Sequence, residues 1–172
     1  MGMDSIEPWV SYAESKGKGA FVLMRTSNKG MRDFEYLEVK GPGYRLYHAV
    51  GDKLAALAAL HRGSSGYGAF GAVVGATERE EAAALRERYS DLFFLIPGYG
   101  AQGGAAEDAA LLLRNGNGGV VNASRSILKA WTGKAGAEQA ANDFAAEAAA
   151  EAAAEAVTIM RDAIGKALKN PT

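Results

Sequence analysis

Cysteine is missing altogether from the 172 residues. That removes a disulfide framework, a thiolate metal site and a thiol nucleophile together. Histidine is nearly as scarce, and His48 and His61 both fall in a stretch of helical spacing, where surface or capping roles outweigh catalysis. A surplus of either charge is lacking too. Nineteen Lys and Arg against 20 Asp and Glu leave a formal net charge of −1, so no global field draws nucleic acid or an anionic membrane. No apolar run approaches the roughly 18 residues of a spanning helix. The opening MGMDSIEPW has neither a basic region nor an apolar core, so no secretory signal is expected. What remains is the expectation of a cytoplasmic protein with no nucleic-acid and no membrane partner.

What is present is ordinary for a globular chain: 48% hydrophobic and 23% charged residues. The length suits one domain over residues 1–172, with a sizeable core. Asp4 or Ser5 is placed to cap a first helix that tolerates Pro8 and runs to about Ser15. Ala20 to Met24 reads as a strand, with a loop from Arg25 to Gly30. Between Gly43 and His61, Leu46, Val50, Leu54 and Leu57 recur at helical spacing. Ala69 to Gly75 is a second strand, and Glu78, Arg79 and Glu80 open a charged helix ending near Tyr89. A third strand, a helix from about Ala105 to Arg114, an Asn115–Gly118 turn and a fourth strand follow. Such alternation predicts an α/β fold with a parallel sheet.

The tail from Glu138 to Lys169 is a long Ala-rich helix. Glu147, Glu151 and Glu155 fall four apart on one face, which reads as a solvated stripe rather than a metal site. Phe144, Val157, Ile159, Met160, Ile164 and Leu168 are the expected packing side.

Two stretches carry chemistry. Leu92 to Gly104 reads LFFLIPGYGAQGG: an apolar strand expected to be buried on both faces, stopped by Pro97. Its glycine-rich loop leaves bare backbone for a ligand to approach. Gln102 in that loop offers an amide donor and a carbonyl acceptor together. Further on, Gly118 to Ile127 reads GGVVNASRSI, a short strand running into Ser124-Arg125-Ser126. An arginine at a strand's carboxyl end, beside a helix N-terminus, suits a phosphate dianion. The plainer alternatives are a strand-to-helix turn and an Arg125 paired with a surface carboxylate.

Taken together, Pro97-Gly98-Tyr99-Gly100-Ala101-Gln102-Gly103-Gly104 and Val121-Asn122-Ala123-Ser124-Arg125-Ser126-Ile127 resemble the orotidine 5'-monophosphate decarboxylase family, its longer-chain bacterial branch most closely. Asp4-Ser5-Ile6-Glu7-Pro8, Phe21 to Asn28 and Val73-Val74-Gly75-Ala76-Thr77 fit in the same order. The resemblance implies residue roles. Ser27 reads the pyrimidine through its hydroxyl and backbone N–H, Pro97 forms apolar wall, and Gln102 spans pyrimidine and phosphate. Arg125 holds the phosphate, aided by the backbone N–H groups of Ser124 and Arg125. The ligand is orotidine or uridine 5'-monophosphate, and neither metal nor cofactor is needed.

Those motifs match the carboxyl-terminal half of the family, and a complete (β/α)8 barrel takes eight strands. The fold implied is therefore half of a TIM barrel, with four strands and the long Ala-rich helix. The family's Lys-Asp-Lys-Asp array centres on Asp-x-Lys-x-x-Asp, and that motif is absent here; Lys40-Gly41 and Asp52-Lys53 do not supply it. No residue of this chain is thus expected to carry the chemistry. A second chain or an amino-terminal half is expected to complete the barrel, making the assembly a dimer. Two other readings stay open: a sugar-phosphate decarboxylase or epimerase on the same scaffold, and a non-catalytic phosphate-binding half or inactive remnant.

Overall fold

A computed structural model describes residues 2–133 and 144–170. Its sheet holds four parallel strands in the order β1-β2-β3-β4: β1 (Ala20–Arg25), β2 (Phe70–Val74), β3 (Phe94–Pro97) and β4 (Gly119–Asn122). Helices α1 (Glu7–Lys16), α2 (Leu46–Leu60), α3 (Arg79–Arg88), α4 (Ala106–Leu111), α5 (Ser124–Leu128) and α6 (Phe144–Lys169) alternate with or follow the strands. The expected βα series is therefore present, and the strand ends lie within one residue or two of their predicted places.

Side-chain alternation divides the sheet into two unlike faces. Met24, Ala72, Val74, Phe94 and Ile96 point to the helices. There they meet Leu54 and Ala58 of α2, Ala82 and Leu85 of α3, Ala109 of α4, and Ile164 and Ala167 of α6 in one buried cluster. Complete burial of each Leu, Ile or Phe there is worth about 1.5–3 kcal/mol. The other face carries the register row Leu23, Val73, Leu95, Val120. Leu23 is 65% exposed, Val120 46% and Phe21 44%.

Here the sequence expectation needs correction. The third strand was expected to be buried on both faces, but in β3 burial alternates: Phe94 and Ile96 are buried, Leu95 and Pro97 half-exposed. All the helices in the main core lie on one side of the sheet, so an apolar run alone did not reveal which face is covered.

Two smaller corrections follow the same logic. Neither Asp4 nor Ser5 caps α1, because both lie in a 3-10 turn (Met3–Ser5) and Ile6 is the cap residue, with no side-chain bond. On α6, Ala152, Ile164 and Ala167 are buried and Met160 half-buried, while Val157 and Ile159 are exposed. Ile159 sits about 100° around the helix from Met160, off the packed stripe. Glu147, Glu151 and Glu155 all face solvent. Residues 138–143 of the expected helix, and the Phe144 side chain, lie outside the described residues.

Backbone bonds tie the strands' carboxyl ends together, which is where the two chemistry-bearing stretches begin. The Gly75 N–H donates to the Arg25 carbonyl (2.8 Å), the Ala76 N–H donates to the Pro97 carbonyl (2.9 Å), and Pro97 pairs in register with Asn122.

Candidate functional site

Glycine decides how closely the loops at that end approach one another. A Cβ placed on Gly75 would lie 2.7 Å from Ser27 Cβ and 2.8 Å from its Cα, so the loop after β1 rests directly on β2's end. Gly98 has φ of +100°, a conformation that favours glycine. The point where its Cβ would sit is 3.0 Å from Ser27 Cβ and 3.4 Å from Gln102 Oε1. Ser27 and Gln102, seventy-five positions apart, thus flank the same glycine. The loop between β3 and α4 is closed on itself: the Gly104 N–H donates to the Gly98 carbonyl (3.0 Å), and the Gly100 N–H donates to the Gly104 carbonyl (2.9 Å).

A groove of about 260 Å³ opens between this loop and the one after β4. Pro97, Gln102, Ser124 and Arg125 all line it, with Asn122 on its floor side. Ser27 does not line the groove itself but packs against Gly98, which does. The five residues singled out from the sequence are therefore neighbours at one end of the sheet.

Their hydrogen-bonding state sets them apart. Among the described residues, nothing donates to or accepts from the side chains of Ser27, Gln102 or Arg125. Every other arginine is engaged. Arg25 and Arg45 meet Glu81, Arg32 meets Glu78, Arg62 and Arg114 meet Asp91, Arg79 meets Asp108, and Arg88 meets Asp52. Arg161 meets Asp162, and Arg86 is held by carbonyls. The alternative of an Arg125 paired with a carboxylate does not hold here. Ser124, by contrast, donates its hydroxyl to Asn122 Oδ1 (2.8 Å). Its side chain is already occupied.

A cluster of polar groups centres on Glu81. Glu81 accepts from Tyr36 (2.7 Å), Tyr47 (3.2 Å), Arg45 and the fully buried Arg25. Burial pushes the Glu81 carboxyl up, but the Tyr36 hydrogen bond and the charges of Arg45 and Arg25 outweigh it and hold the group below its ordinary range. Burial and Glu81 raise both phenols in turn. Arg25 also donates to the Gly75 carbonyl at 2.6 Å, so this cluster fixes the end of β1 against β2. Thr77 Oγ1 is buried without a partner, while its methyl lies beside Gly98.

Sequence reasoning missed this supporting layer. Arg25 was read as the first loop residue, whereas it ends β1 after a register shift and is the largest fully buried side chain. The pairings of Glu35, Glu78 and Glu81 span nine to 56 positions and leave no periodic trace. His48 accepts from the Arg45 N–H at the start of α2, and His61 pairs with Glu14, both away from the groove.

Four parallel βα units with helices on one face are consistent with one half of a (β/α)8 barrel, and the free polar groups lie at the strands' carboxyl ends. The chain belongs to the Orotidine 5'-phosphate decarboxylase / HUMPS family, whose profile matches residues 1–140. It is 55% identical over 131 residues to the orotidine 5'-phosphate decarboxylase of Clostridium perfringens, covering 76% of this chain and 45% of that protein. Against the same enzyme from Clostridium acetobutylicum it is 46% identical over 168 residues, covering 98% and 56% respectively. A solved structure of a candidate orotidine 5'-phosphate decarboxylase from Streptomyces avermitilis superposes with a TM-score of 0.66 at 29% identity, over 95% of this chain and 52% of that one. The chain spans about half the length of these relatives.

Proposed function

We propose that this chain is the pyrimidine- and phosphate-binding half of an orotidine 5'-monophosphate decarboxylase, which forms uridine 5'-monophosphate. The observation that carries the reading is the set of side chains without a partner among the described residues, Ser27, Gln102 and Arg125, gathered at one end of a sheet in a chain whose other arginines are all engaged. Arg125 takes the phosphate as a charge-assisted pair. Gln102 reaches from phosphate to pyrimidine, Ser27 donates its hydroxyl to the ring, and Pro97 gives an apolar wall. Ser124 contributes its backbone N–H, since its hydroxyl is bound to Asn122.

The reaction removes carbon dioxide from carbon six of the pyrimidine and leaves a carbanion that must be stabilised and protonated. No Asp-x-Lys-x-x-Asp motif occurs in this sequence to do that. An amino-terminal half supplies the array, and this chain contributes binding energy remote from the reacting carbon, which closes the loops and lowers the barrier. The same missing motif favours one second reading, a non-catalytic half-barrel that binds phosphate ligands.

Thermal shift of the chain with uridine 5'-monophosphate, a pentose phosphate and inorganic phosphate tests the site. Stabilisation by the nucleotide well beyond the other two is expected; equal shifts for all three would sink the pyrimidine reading. Decarboxylation measured with and without an added amino-terminal half then separates the two functions. Activity restored by the added half supports the enzyme, and binding without activity supports the second reading.

A further inference from the structure

We propose that Glu35 is the positioning residue that sets Ser27 toward the pyrimidine, governing base recognition without touching the ligand. The proposal rests on the reading of Ser27 just given. Thr26, immediately before Ser27, is gripped by both oxygens of the Glu35 carboxylate. Its N–H donates to Oε2 at 2.8 Å and its hydroxyl lies 2.8 Å from Oε1. That hydroxyl is also 2.7 Å from Asn28 Oδ1. It has a single hydrogen, and the charged oxygen is the stronger acceptor, so the carboxylate takes it.

Glu35 is itself held at both ends. Its N–H donates to the Met31 carbonyl (2.8 Å), and its carbonyl accepts from the Tyr47 N–H (3.1 Å) on α2. The clamp therefore sits in a turn whose backbone is tied to the start of α2. Ser27 in turn rests against Gly75 and Gly98, whose missing Cβ positions lie 2.7 and 3.0 Å from its own Cβ. Two backbone walls and one carboxylate clamp fix where the hydroxyl is presented. The neighbouring Glu81 cluster holds Arg25, Tyr36, Arg45 and Tyr47 and makes no bond to Thr26 or Ser27. Among the described residues, Glu35 is the one acidic side chain that bonds to Thr26. Arg125 lines the groove from the start of α5, and no bond joins it to Thr26 or Glu35, so the phosphate end is independent of this clamp.

The test uses the full chain, with amide exchange at Thr26 and Ser27 and titrations with uridine 5'-monophosphate and inorganic phosphate. Losing two charge-assisted bonds in Glu35→Ala should speed exchange at Thr26 and Ser27, and weaken the nucleotide, by about tenfold each. Inorganic phosphate affinity should not move. Glu35→Gln, which can still accept the Thr26 N–H, should restore most of both effects. A merely structural role would weaken both ligands alike and lower the melting temperature; that result, or unchanged exchange at Thr26 and Ser27, overturns the proposal. If Glu35→Ala does not fold, Thr26→Val removes the hydroxyl contact and makes the same comparison. A wild-type chain that binds neither ligand defeats the nucleotide reading instead, and the exchange rates still decide the clamp.

Discussion

Among the described residues, no carboxylate forms an ion pair with Arg86. Its guanidinium donates to the carbonyls of Tyr89, Leu92 (2.8 Å) and Gly118 (3.0 Å), and stacks 3.9 Å over the Phe94 ring. Burial brings its pKa down to about 10, which still leaves it charged at neutral pH. It thus pins the turns leading into β3 and β4 by their backbone. Arg86→Met keeps the bulk but strands those carbonyls in the interior, at about 1–3 kcal/mol for each buried group left unpaired. Urea unfolding should show the midpoint falling by that order with an unchanged slope. Arg125 is the converse case, an exposed arginine without a partner. In an enzyme completed by an amino-terminal half, Arg125→Ala should cost about 2–5 kcal/mol of nucleotide affinity, the range for breaking a desolvated charge pair. Its urea midpoint should not change. Unaltered affinity would remove Arg125 from the site.

At the scale of elements, Glu81 on α3 joins β1, α2 and the segment between them through Arg25, Tyr36, Arg45 and Tyr47. Its folded pKa lies below the ordinary 4.5, so its contribution to stability is complete above about that pH and is lost as pH falls through the folded value. Tyr36 and Tyr47 are raised above their ordinary 10, so stability also declines once pH climbs past that value. Glu81→Gln should flatten the acid limb of the melting-temperature profile, and an acid limb as steep as wild type would show the stabilisation lies elsewhere. The βα alternation was legible in the sequence because strands and helices repeat over short distances, and the two loops were legible because Gly, Pro, Gln and Arg cluster within them. The Glu81 cluster was not legible, since its members come from four separate segments. Nor could periodicity tell that Ile159 is exposed, because an apolar residue off the stripe looks the same in sequence as one on it.

For the whole molecule, the decisive feature is a sheet finished on one face only. Leu23, Val73, Leu95 and Val120 form an apolar row across it, and β1 and β4 are both edge strands. Parallel strands of this kind are normally covered on both sides, and open edges invite pairing. Burying Phe21, Leu23 and Val120 fully is worth about 1.5–3 kcal/mol for each side chain. An amino-terminal half from the Clostridium perfringens relative is therefore expected to bind this chain one to one in light scattering. Leu23→Glu places a charge on the open face at the β1 edge of that row without touching the helix-side core, so it should abolish the complex while the circular dichroism of the free chain stays unchanged. Val22→Glu, one residue away but pointing to the helices, should instead unfold the chain. Equal binding by Leu23→Glu and wild type would mean that the open face is not where the barrel is completed.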